Sequence, residues 1–137
     1  MKFEYYNPNV DAKTFKSGKP KFWNRNDSSV RAICKAIDKD WITVYDELCN
    51  IGHSYNDMPS SKQVVTNMLS NYGYELVTLG KPVQGQKRPT IEEFAQEHNE
   101  GTYVLYLRDY YITMIDGVLY NTENFAEEKV YSYWYVK

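Results

Sequence analysis

Three stretches with helical apolar spacing come first and a group of short alternating stretches comes last. That segregation is the strongest constraint this chain places on its own fold. Val30, Ile33 and Ile37 recur at helical spacing, as do Trp41, Val44, Tyr45 and Leu48, and then Val64, Val65, Met68, Leu69 and Tyr72. These positions predict one helix from about Ser29 to Asp38, a second from Trp41 to about Ile51, with His53 beyond its end, and a third opened by Pro59-Ser60-Ser61. Gly73 stops the third helix, and Tyr74 to Leu79 alternates as a strand. Gly80 to Pro89 is a polar connection, after which Thr90-Ile91-Glu92-Glu93 has the form of a capping box and opens a short helix ending near His98. Thr102 to Leu107, Tyr110 to Ile115, Val118 to Asn121 and Val130 to Val136 read as strands, with Asp116-Gly117 as a tight turn. The order predicts an α+β domain whose N-terminal helices pack on a C-terminal antiparallel β-sheet.

With 137 residues, 42% of them hydrophobic, the chain is the size of a single domain spanning 1–137. A net charge of −2 argues against a generally basic nucleic-acid binder, and no apolar run approaches the roughly 20 residues needed to cross a bilayer. Met1-Lys2-Phe3-Glu4-Tyr5-Tyr6 is an aromatic strand rather than a secretory leader, so a cytoplasmic location is expected. Cys34 and Cys49 fall on separate helices and form no metal-type pair, which makes free thiols the expectation. Asp38, Asp40, Asp46 and Glu47 lack a calcium-loop pattern, and Gly80 to Gly85 lacks the ending of a phosphate loop, so neither a metal nor a cofactor is expected. The 14 tyrosines, each with an apolar face and a polar tip, suit a half-exposed contact surface and point to a protein partner.

Residues 7–27 hold Pro8, Gly18 and Pro20 and no sustained period, and read as a long loop. Within it Lys13, Lys16, Lys19, Lys21 and Arg25 are interleaved with Phe15, Phe22 and Trp23 and no acid. Such a mixture at 13–25 could hold phosphates while stacking a base on its rings, as a nucleotide- or nucleic-acid-binding module would. It equally describes a solvated loop whose aromatics pin it to the core.

That loop runs directly into Asn26-Asp27-Ser28-Ser29-Val30-Arg31-Ala32-Ile33. Asp27, Ser28 and Ser29 stand where side-chain oxygens cap the free amides of a helix start. The same segment resembles the nucleophile site of small papain-like domains related to bacteriocin-leader-processing peptidases, found in bacteriophages and bacteria, whose short versions open with Asn-Asp-Cys-x-x-Arg-Ala. The start Met1 to Pro8, the stretch Trp41-x-x-Val44-Tyr45-Asp46-x-Leu48-Cys49, Met58-Pro59 and the run Arg88 to Asn99 are similar to that family as well. Gly101-Thr102-Tyr103-Val104-Leu105, Asp109 to Gly117 and Asn121-Thr122-Glu123-Asn124 follow its later pattern. The resemblance implies a papain-like fold, with Ser28 at the nucleophile position, Tyr110 at that of the general base and Asn121 at that of the residue orienting the base.

Those replacements decide what chemistry is left. A papain-type thiol, with an intrinsic pKa of roughly 8.5, is ionised by an imidazolium and a helix N-terminus. A serine hydroxyl needs a base during attack, and a phenol, protonated at neutral pH, offers chiefly a donor. Asparagine can orient a histidine, but here it has no imidazole to orient. Of the two histidines, His53 and His98, neither falls at the base position. The expectation is a pseudoenzyme that binds a protein through the former cleft, with Trp23, Arg25, Ser28, Tyr110 and Tyr111 as contact residues. By analogy with phage-encoded relatives, it would act as an inhibitor of a host factor in the host cytoplasm. The alternatives are a hydrolase or acyl-transfer enzyme using Ser28, and the nucleotide-binding loop at 13–25.

Overall fold

The computed structural model describes residues 1–9, 26–83 and 85–136. Its elements are β1 (Lys2–Tyr5), α1 (Ser28–Ile37), α2 (Trp41–Tyr55), α3 (Lys62–Asn71), β2 (Tyr74–Thr78), α4 (Ile91–Glu97), β3 (Thr102–Leu107), β4 (Tyr110–Ile115), β5 (Val118–Asn121) and β6 (Ser132–Val136). The α+β class follows the sequence pattern, and the strands form one sheet in the order β1-β5-β4-β3-β6-β2.

The sheet is mixed rather than purely antiparallel, because β1 lies parallel to β5, with Lys2 beside Val118 and Tyr5 beside Asn121. All other pairings are antiparallel. The parallel pair is reached only by a long excursion through the helices, as a parallel connection requires. At the β4–β5 hairpin the turn residues Asp116 and Gly117 both take positive φ, 49° and 77°. The twist of a two-residue hairpin loop demands that geometry, and glycine adopts it without strain.

Alternation along the central strands sorts side chains to two faces. Val104, Tyr106, Tyr111 and Trp134 meet α1, α2 and α3 on one face. Leu105, Leu107, Ile112, Met114 and Leu119 meet α4 and Val130 on the other. The helices preceding β2 therefore cover one face, as expected, and α4 closes the second. Trp134 is fully buried and donates its indole N–H to Thr66 Oγ1 at 3.1 Å, so its one polar atom is satisfied inside the core.

The boundaries differ from the sequence pattern most at two places. The second helix continues to Tyr55, so His53 lies in its last turn and not beyond it. Gly52 permits this: a Cβ there would sit 2.7 Å from the Asp57 carbonyl oxygen, while the Asp57 N–H donates to the Gly52 carbonyl. The last strand begins at Ser132 and not at Val130, because the Val130 amide is committed to the Pro89 carbonyl and Lys129 pairs with Thr90. Cys34 and Cys49 are free thiols. No helix among the described residues is long and apolar enough to cross a membrane.

Burial raises the Cys34 thiol from its ordinary 9.0 to about 12, with the Asp40 and Asp27 carboxylates adding to the shift. Burial likewise pushes the Tyr6 phenol up to about 12 and raises that of Tyr111. A proton held more tightly in the folded state gives stability that is complete below the ordinary value and lost as pH rises through the folded one. Urea unfolding is therefore expected to show stability declining from pH 9.0 toward 12, with a shallower decline in Cys34→Ala.

Candidate functional site

The first two turns of α1 are buried on every side: Ser28, Ser29 and Arg31 are hidden along with Val30, Ala32, Ile33 and Cys34. A buried guanidinium needs a counter-charge and acceptors for its donors. Arg31 finds the first one turn back, in an ion pair of Nη1 with the Asp27 carboxylate. Its Nη2 donates to the Tyr110 hydroxyl at 2.7 Å and to Asn121 Oδ1 at 3.3 Å. The Tyr110 hydroxyl in turn donates to Asn121 Oδ1 at 3.2 Å, and Asn121 Nδ2 donates to the Glu123 carbonyl at 2.9 Å. Arg31 thus fastens the start of α1 to the first residue of β4 and the last residue of β5.

Asp27 is held from two further directions, by Trp41 Nε1 at 3.1 Å and Asn9 Nδ2 at 3.3 Å. Its carboxylate is fully engaged and makes no hydrogen bond to the helix amides, although Asp27 is the residue at the N-cap. Capping by the Asp27-Ser28-Ser29 side chains is therefore not what this segment does. Ser28 is the first residue of the helix, and its Oγ accepts the Tyr111 N–H at 3.2 Å across to β4.

Ser28, Tyr110 and Asn121, the three positions singled out in the sequence, thus lie close together. Tyr110 and Asn121 touch each other, and Ser28 is bonded to the backbone next to Tyr110. No imidazole joins them. His98 stacks on Phe94 at 4.0 Å, with Nδ1 3.0 Å from the Phe94 carbonyl, and packs against Tyr103 and Tyr133 on the α4 face of the sheet. His53 is an exposed residue of α2. Tyr111 turns to the other face from Tyr110, packs its ring at a tilt against Tyr106 and Trp134, and donates its hydroxyl to the Ser60 carbonyl at 3.0 Å. Trp23 and Arg25, with the whole basic stretch 13–25, lie outside the described residues.

Two hollows flank the start of α1. One, of about 490 Å³, lies on the β4 side and is lined by Ser28, Lys62, Tyr106, Asp109, Tyr110 and Tyr111. The other, of about 470 Å³, lies on the α2 side and includes Asp27, Val30, Trp41, Tyr45 and Pro59. Asn26, Ser29, Met58 and Ser60 line both, so the helix start forms a ridge between them. Trp41 and Tyr45 stack at 4.9 Å, and Met58 is 68% exposed at the rim. Lys62 donates to Ser132 Oγ at 2.8 Å, lies 4.7 Å from the centre of the Tyr106 ring and has no carboxylate partner among the described residues. Burial lowers its pKa, as expected for an ammonium without a counter-charge.

Compared with known proteins, the chain matches no family model, no curated protein and no solved structure.

Asp27, Arg31 and Trp41 organise the cluster around Ser28, Tyr110 and Asn121, although the sequence pattern suggested only a cap for Asp27 and a helix stripe for Trp41. The Asp27/Arg31 spacing of four residues was the available signal, since it sets both side chains on one helix flank. Asp27→Ala is expected to cost about 3–5 kcal/mol by stranding the buried guanidinium. Denaturant unfolding of Asp27→Ala beside Asp27→Ala/Arg31→Met checks this, the second variant recovering much of the loss.

Proposed function

We propose that this chain is a papain-like domain without peptidase chemistry that binds a segment of another protein along the ridge at the start of α1. The observation that carries the reading is Tyr110. At the position of the family's general base stands a phenol whose oxygen accepts from Arg31 and whose proton goes to Asn121. The Ser28 hydroxyl oxygen accepts an amide proton and has no imidazole to take its own, so attack on a carbonyl lacks the proton transfer it requires.

What persists is recognition surface. The Trp41–Tyr45 stack, Val30, Met58 and Pro59 offer an apolar seat on one side of the ridge. Lys62, Ser60 and the exposed Asp109 offer polar contacts on the other. An extended segment lying across the ridge would place an apolar side chain against Trp41 and an acidic or carbonyl group toward Lys62. A host factor targeted by a phage-encoded inhibitor is the biological setting this reading favours.

Two measurements test it. A fluorophosphonate probe is expected to leave Ser28 unmodified, and labelling that disappears in Ser28→Ala would overturn the inactive reading. Peptides selected from a displayed library against the full chain are expected to lose about tenfold in affinity on Met58→Asp. Indifference to that change would move the contact surface elsewhere.

A further inference from the structure

Beyond the cleft, the outer edge of the sheet carries its own chemistry. β1 ends the strand order, and no strand among the described residues covers its far side. All four of its residues are exposed, Phe3 to 36% and Tyr5 to 65%. The Lys2 N–H donates to the Gly117 carbonyl at 3.1 Å and the Tyr6 N–H to the Asn121 carbonyl at 2.9 Å. Successive backbone groups of a strand point to opposite sides, so the even-numbered residues serve β5 and the N–H and C=O of Phe3 and Tyr5 face outward.

Such an edge is a template for another strand, and proteins commonly guard it with a lysine. Here the lysine is matched. Lys2 and Glu4 share one face, in register with Val118 and Tyr120, while Phe3 and Tyr5 share the other with Leu119 and Asn121. Neither Lys2 nor Glu4 has an ion-pair partner among the described residues.

We propose that β1 pairs antiparallel with β1 of a second copy of this chain about a two-fold axis at Phe3. Phe3 then faces Phe3 of the second copy and exchanges both backbone hydrogen bonds with it, as its outward amide requires. Lys2 faces Glu4 of the second copy, and Glu4 faces its Lys2. These fall at the positions without backbone bonds, where side chains of opposed residues come closest. Other registers fail on charge or on amides. An axis at Glu4 or Lys2 opposes like charges and uses amides already committed to β5. An axis at Tyr5 puts Tyr6 opposite Glu4 and leaves Lys2 without an acid. Only the Phe3 axis satisfies both, and it also covers the two exposed phenylalanine rings with each other. One short strand per copy buries less than the roughly 800 Å² per partner of a standard interface, so the dimer is a weak one that forms at high protein concentration.

Sedimentation equilibrium of the full chain over a concentration series tests the pairing. The natural sequence is expected to show a monomer–dimer equilibrium. Lys2→Glu and Glu4→Lys, each of which opposes like charges twice, should each weaken it by about tenfold. The double variant Lys2→Glu/Glu4→Lys, which restores opposite charges in reversed order, should recover it, and that recovery separates lost pairing from lost folding. A monomer at the highest soluble concentration, self-association indifferent to either single reversal, or a double variant as weak as the singles would overturn the proposal.

Discussion

A guanidinium buried at the start of α1 sets the conditions for the structure around it. Arg31 is enclosed on a helix that packs over the middle of the sheet, and its charge is tolerated because Asp27 lies one turn away. Its Nη2 reaches Tyr110 and Asn121, while Nε is buried without a partner among the described residues, so one side chain fixes the relative placement of α1, β4 and β5. Asp27 extends the network through Trp41 to α2 and through Asn9 to the segment after β1. Apolar contact alone would leave α1 free to slide along the sheet, since burial is non-directional; the hydrogen bonds of this network give it one register.

The same network engages the polar side chains at the start of α1. A hydroxyl at the helix start and a phenol on the adjacent strand are both present, yet their polar atoms are directed to structural partners. Ser28 accepts the Tyr111 amide and Tyr110 bridges Arg31 and Asn121. The two-faced burial of β3 and β4 holds these residues in place. Because α1 covers one face and α4 the other, neither strand can shift without exposing apolar side chains such as Leu105, Ile112 and Met114.

Local features of the fold were legible in the sequence wherever the deciding interactions are local. The capping box at Thr90 forms with both of its hydrogen bonds, and the Asp116-Gly117 turn takes the conformation its residues suggest. Helical periods located α1, α2 and α3 to within a few residues. What escaped depends on distant partners. The parallel pairing of β1 with β5 joins residues far apart in the chain, and an exposed strand with no buried face carries no alternation to reveal it. Val130 looked like strand because it is apolar, but its backbone answers Pro89. Asp27 and the two serines had the composition of caps, and only the buried Arg31 explains why the aspartate is used otherwise. An arginine within a helix reads as a solvent-facing residue, and no local pattern shows that the helix around it is enclosed.

In the proposed function, Ser28 and Tyr110 occupy one catalytic geometry from which the chemistry has been removed. Ser28→Cys alone and together with Tyr110→His, treated with a cysteine-directed electrophile near neutral pH and followed by mass spectrometry of the segment holding residue 28, tests it most directly. Cys34 is buried with a raised thiol pKa and should contribute little background. Rapid modification at residue 28 is expected in the double variant and slow modification in the single one. Equal and slow modification of both would contradict it, showing that the two positions do not form a nucleophile–base pair.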